Sequence, residues 1–172
     1  MSGVQECNIP NLFMGQLPHR IVLGMVKSSD YNGNRSSNPF KFQHFNVNHL
    51  SITVNGRQVP NHPYEPDFTT KSVRRSYHHL METVLGNCQD ERSIGLSMDD
   101  YLNGGKTFFG FTVFGDSAGG GTSSVYSRKT GNINLRLRFS SVLSQNITII
   151  IYAEFQNQIE IDASRQVHVD FN

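Results

Sequence analysis

From Gly131 to Phe139 the sequence GNINLRLRF alternates without a break, with Ile133, Leu135, Leu137 and Phe139 on one side and Asn134, Arg136 and Arg138 on the other. A period of two marks an extended strand with one face buried and the other meeting solvent or a partner. A second run, NITIIIYAEF at 146–155, alternates less cleanly. Ile147, Ile149, Ile151 and Phe155 share one face while Ile150 and Tyr152 occupy the other, which predicts a strand covered on both sides.

Shorter segments fit the same architecture. RIVLGMVK at 20–27 is a strand, and residues 1–19, with Gly3, Pro10, Gly15 and Pro18, form an extended arm before it. After the turn-forming SSDYNGNRSSNP, strand character returns at 40–60, where Phe40, Phe42, Leu50, Ile52 and Val54 alternate with polar residues. Asn55-Gly56 then supplies the two positive φ angles of a type I′ hairpin turn. Pro60, Pro63 and Pro66 make PNHPYEPDF a rigid surface connection. A helix follows, capped by Thr70, with Val73, Tyr77, Leu80, Met81, Val84 and Leu85 in one apolar stripe and Gly86 at its C-terminus. TFFGFTVF at 107–114 is a strand, and short strands near 158–162 and 166–171 close the chain. About eight strands, one helix in a long connection and no βαβ rhythm predict an all-β fold, an antiparallel β-sandwich or barrel, formed as a single domain by residues 20–172.

A chain of 172 residues is long enough to bury roughly 70% of its unfolded surface in one core. Its 15 basic and 14 acidic side chains leave a net charge of +1, so no overall field favours a phosphate backbone. No direct nucleic acid site is evident. The early apolar run 21–26 is too short for a signal peptide and no window approaches a membrane span, which predicts a protein made inside the cell and not secreted. Cys7 and Cys88 form no disulfide framework.

Three motifs invite chemistry and lack its context. Gly115-Asp116-Ser117-Ala118-Gly119 spells a G-x-S-x-G nucleophile elbow, but the glycine, serine and threonine residues that follow are poor helix formers. Asp162 and His168 occupy the triad's chain order, six residues apart in the last short strands, and no H-G-G segment supplies an oxyanion hole. NGGKT at 103–107 imitates a P-loop end, with Asp100 where the first glycine belongs and a strand following. His78 and His79 are adjacent, and no H-x-H or H-x-x-x-H pair offers a metal site. No enzymatic activity, catalytic residue, metal or cofactor is therefore expected. The sequons at Asn34 and Asn146 read as chance matches.

Taken in order, LPHRIVLGMV (17–26), YNGNRSSNPFKFQHFNVNHLSITVNGRQVP (31–60), PDF (66–68), TGNINLRLRF (130–139) and ITIIIYAEFQNQIEID (147–162) resemble one family. They are similar to the C-terminal part of the hexon-like major capsid protein of Polinton/Maverick elements and the related adintoviruses, over about residues 12–170. The resemblance implies an eight-stranded jelly-roll sandwich, one half of a double jelly roll whose N-terminal jelly roll is absent from this chain. It further implies a structural viral protein of the virion, forming homotrimeric capsomers of an icosahedral shell, with itself, the other jelly roll and capsid proteins such as a penton as partners.

A capsid role needs packed sheets, loops that reach neighbours and no active site. Tyr31, Phe40, Tyr64, Phe68 and Tyr101 lie in or beside loops and are candidate subunit-contact aromatics, or else satellite core residues under long loops. The alternative is a lectin-like β-sandwich that binds carbohydrate through exposed aromatics around a shallow cleft.

Overall fold

The computed structural model of the chain describes residues 3–85, 94–114, 129–157 and 159–169. In chain order its elements are β1 (Glu6–Gln16), β2 (Arg20–Lys27), α1 (Ser28–Tyr31), β3 (Val47–Val54), β4 (Arg57–Tyr64), α2 (Arg74–Leu85), α3 (Met98–Leu102), β5 (Phe108–Thr112), β6 (Thr130–Phe139), β7 (Ile147–Glu154), β8 (Ile159–Ile161) and β9 (Val167–Val169). The protein is mostly β, and every ladder between these strands is antiparallel.

The alternating run becomes β6, an inner strand of a four-stranded sheet ordered β1-β6-β3-β4. Ile133, Leu135, Leu137 and Phe139 are fully buried against Leu50 and Ile52 of β3 and against the facing sheet, β5-β2-β7. That sheet contributes Ile21, Leu23 and Met25 from β2 and Phe109 and Phe111 from β5. Each such side chain stabilises the fold by about 1.5–3 kcal/mol through burial. The other face of β6 is polar, as its period requires. Arg136 Nε donates to Glu6 Oε1 at 2.6 Å, and Arg138 Nε to Asn48 Oδ1 at 3.4 Å.

Against the outer face of the three-stranded sheet lies a second apolar cluster, built from Val73 and Leu80 of the α2 region with Leu96 and Tyr101. Gly110 of β5 permits the approach of α2. A Cβ there would stand 2.8 Å from the Thr83 side chain and 2.9 Å from the Leu80 Cα. The buried face of α2 is accordingly Ser76, Leu80 and Thr83, while Val84 of the expected stripe is exposed. Sequence periodicity picks the bulky residues; the close contact with β5 selects the small ones. Gly86, expected at the helix end, is outside the described residues, and the helix starts at Arg74, not near Thr70.

Other expectations are corrected. Part of the expected arm is β1, an edge strand paired with β6, and Pro10 fits because it falls where the register shifts between Ile9 and Phe13. Residues 40–46 are not a strand, since Phe45 and Asn46 take φ of 45° and 51°, and regular pairing begins at Val47. PNHPYEPDF is partly strand. Pro60 and Pro63 are accommodated in β4 because it is an edge, with a register shift opposite Leu50 and Ile52. The Asn55-Gly56 turn is found as expected, with φ of 50° and 82°. Two short helices, α1 and α3, join the expected one.

Candidate functional site

The five loop aromatics separate into three groups. Phe40 is 76% exposed and Tyr31, in α1, is 55% exposed, so both are available to a partner. Tyr64 and Tyr101 are not. Tyr101 is completely buried in α3, its hydroxyl bonded to Ser76 Oγ at 3.1 Å and its ring edge-on to Phe109. Tyr64, also buried, closes the end of β4. Both are core residues and are withdrawn as contact aromatics, because a ring that covers one face of a sheet has no free face for a partner. Phe68 is half-buried and stacks on His44 at 4.0 Å with the ring planes 7° apart.

Among the expected core residues of the last long strands, Ile133, Leu135, Leu137, Phe139 and Ile147 are buried, and Ile149 and Ile151 pack partly buried against the same cluster. Phe155 is corrected. It follows the end of β7, where it meets the edge strand β1 of the other sheet, touching Phe13 edge-on at 5.7 Å, and it remains 42% exposed. Tyr152 is likewise open, at 64%, so β7 is covered on one face only near its end.

A cavity of about 750 Å³ lies between residues 62–66 and 71–76. Arg75 is already committed there, donating to the carbonyl oxygens of His62 at 2.7 Å and Pro63 at 3.0 Å, with its guanidinium over the Tyr64 ring. Lys71, Arg74 and Glu65 also line it. A neighbouring pocket of about 200 Å³ holds Tyr64, His79, Glu82 and Thr83. The Tyr64 hydroxyl donates to Gly110 O at 2.7 Å and so accepts from His79 Nδ1 at 3.1 Å. Burial pushes the phenol's pKa up and the imidazole's down, so it favours the neutral form of each.

NGGKT ends α3 and turns into β5. Lys106 Nζ pairs with the Asp100 carboxylate at 3.3 Å and Thr107 Oγ1 donates to Tyr101 O at 2.7 Å, so both side chains serve the turn. Asp162 and His168 do meet, at 3.4 Å across the β8–β9 hairpin, where Asp162 also accepts from Ser164 Oγ and Gln166 N. Ser117 and Cys88 are outside the described residues. Among the described residues no group of three His, Cys, Asp or Glu side chains is placed to hold a metal, and no helix is long and apolar enough to cross a membrane.

Sequence reasoning missed the most unusual surface, the terminal hairpin. Ile159 pairs with Val169 and Ile161 with Val167, which puts four apolar side chains on one face, and all four are exposed. The signal was present in the alternation of IEI and VHV, but alternation alone does not say whether a face is covered.

These features define an antiparallel β protein of two facing sheets and a terminal two-stranded hairpin, with exposed apolar side chains at loops and at the C-terminal strands. The chain is 30% identical to an uncharacterized protein of Caenorhabditis elegans over 163 residues, which cover 92% of this chain and 38% of that protein. It therefore spans well under half the length of the relative it matches. No protein-family model and no solved structure matches the chain.

Proposed function

We propose that this chain is a jelly-roll module of a hexon-like major capsid protein, a structural unit of a virion that acts by self-assembly. The observation that carries the reading is the apolar surface that a well-packed sandwich leaves open: Tyr31, Phe40, Tyr152, Phe155 and the β8–β9 face. Exposed large apolar groups concentrated at loops and strand ends suit contacts between subunits. Topology supports the same reading, because the chain changes sheet at each connection from β1 to β7 apart from the β3–β4 hairpin, as jelly-roll and Greek-key sandwiches do. The sequence resemblance supplies the particular family, the trimeric capsomer, the second jelly roll and the penton as partners.

The chain should be produced together with the sequence encoded upstream of it and followed by light scattering and electron microscopy over a range of salt and pH. Trimers or shells are the expected products. A product that stays monomeric under every condition overturns the proposal, and specific glycan binding by such a monomer would favour the lectin-like alternative.

A further inference from the structure

Among the described residues the two facing sheets have four outer edges, and three of them carry features that block pairing with another strand. β1 has Pro10 and a register shift. β4 has Pro60, Pro63 and its own shift. β5 is only five residues long, and the carbonyl of Gly110 is occupied by the Tyr64 hydroxyl. β7 has none of these. It runs for eight residues, ITIIIYAE, without proline, glycine or a basic residue, and in unbroken register with β2. A long, regular, apolar edge is a template for a further strand.

The direction of its hydrogen-bonding groups follows from the ladder. Ser28 N donates to Asn146 O at 2.9 Å, in register with the β2–β7 pairs. Alternate residues of an antiparallel strand turn their N–H and C=O to opposite sides, so Thr148, Ile150 and Tyr152 address β2. Ile149, Ile151 and Ala153 address the outer side, where no described strand pairs with them.

We propose that this edge pairs with the same edge of a second copy, β7 antiparallel to β7 about a two-fold axis at Ile151, joining two three-stranded sheets into one. Antiparallel pairing with itself is the arrangement an isologous contact requires. The register centred on Ile151 sets Ile149 opposite the partner's Ala153 and keeps residues 148–154 paired throughout. On the solvent face it places Ile150 beside the partner's Tyr152, twice, and an aromatic with a β-branched residue is a favourable cross-strand pair. Glu154 meets Thr148 of the other copy, so the strand's one charge never faces its own kind. Pairing also covers Tyr152, the most exposed large side chain of β7. This inference rests on the strand edge and not on the capsid reading.

Sedimentation velocity of the 172-residue chain across a concentration series is expected to show a monomer–dimer equilibrium. Ala153→Pro removes an outward N–H and leaves the bonds to β2 intact, so it should weaken the dimer about tenfold or more while circular dichroism stays unchanged. In a Cys7→Ser, Cys88→Ser background, Ile150→Cys with Tyr152→Cys should form intermolecular disulfides on oxidation, and Tyr152→Cys alone should not. A chain that is monomeric at every concentration, or a dimer indifferent to Ala153→Pro, overturns the inference. A trimer indifferent to Ala153→Pro overturns it as well, yet supports the capsomer, which separates the two proposals.

Discussion

The hydroxyl of Tyr64 in β4 donates a 2.7 Å hydrogen bond to the main-chain carbonyl of Gly110 in β5, a buried link between one sheet and the outer edge of the other. Without that donor the carbonyl has no other hydrogen-bonded partner from the described strands. Tyr64→Phe is therefore expected to cost about 1–3 kcal/mol in urea unfolding, with the fold retained. A variant as stable as the parent would mean that water replaces the donor.

Gly110 itself is predicted to resist substitution. Its added Cβ would meet both the Thr83 side chain and the α2 backbone at under 3 Å, so Gly110→Ala must push the helix outward. A loss of about 1–3 kcal/mol is expected. Gly33→Ala makes a useful control for contact, since a Cβ there meets nothing within 4 Å, although its φ of 94° adds backbone strain.

Acid should weaken the fold in two stages. His44, His49 and His79 are all held below their ordinary value of 6.5, with burial as the largest cause. A histidine whose folded pKa is depressed binds protons more readily when unfolded, so its contribution is complete above about pH 6.5 and declines as pH falls below it. Asp67, Asp100 and Asp162 are depressed chiefly by hydrogen bonds from Thr70, Lys106 and Ser164, and their contribution is lost only as pH falls below their ordinary 3.8. Unfolding midpoints measured from about pH 8 to about pH 5 should decrease, with His79→Gln flattening part of the slope. A flat profile would refute the histidine assignment.

Core and surface apolar side chains should behave oppositely. Leu135→Ala, in the middle of β6, is expected to cost about 2–5 kcal/mol by chemical denaturation. Phe40→Ala should change stability by no more than about 0.5 kcal/mol, because its ring is out in solvent. On the capsid reading the same substitution should reduce particle yield in assembly assays. Unchanged yields for Phe40→Ala and Tyr31→Ala together would remove both rings from the assembly surface.

Much of the strand framework is legible in the sequence. β2 has the bounds read from RIVLGMVK, β6 buries the four residues its alternation nominates, and Asn55-Gly56 makes its turn. Such features depend on nearest-neighbour geometry, which a local pattern encodes. The candidate contact surface was legible only in part. Tyr31 and Phe40 are exposed, but Tyr64 and Tyr101, equally loop-bound in sequence, are sealed by contacts outside any local pattern: Tyr64 by Gly110, 46 positions away, and Tyr101 by Ser76, 25 positions away, together with Phe109.

The amino-acid sequence by itself determined where this chain extends and turns, because side-chain alternation and positive-φ residues act within a few peptide units. Tertiary structure alone decided which proline-bearing segments become edges, which face of α2 is buried and which side of β7 pairs with β2. Those outcomes depend on what lies opposite. Pro60 is tolerated because β4 has no outer neighbour among the described strands, Thr83 is buried because Gly110 has no side chain, and the main-chain N–H and C=O groups of Ile149, Ile151 and Ala153 point to the sheet edge because β2 occupies the other side of β7.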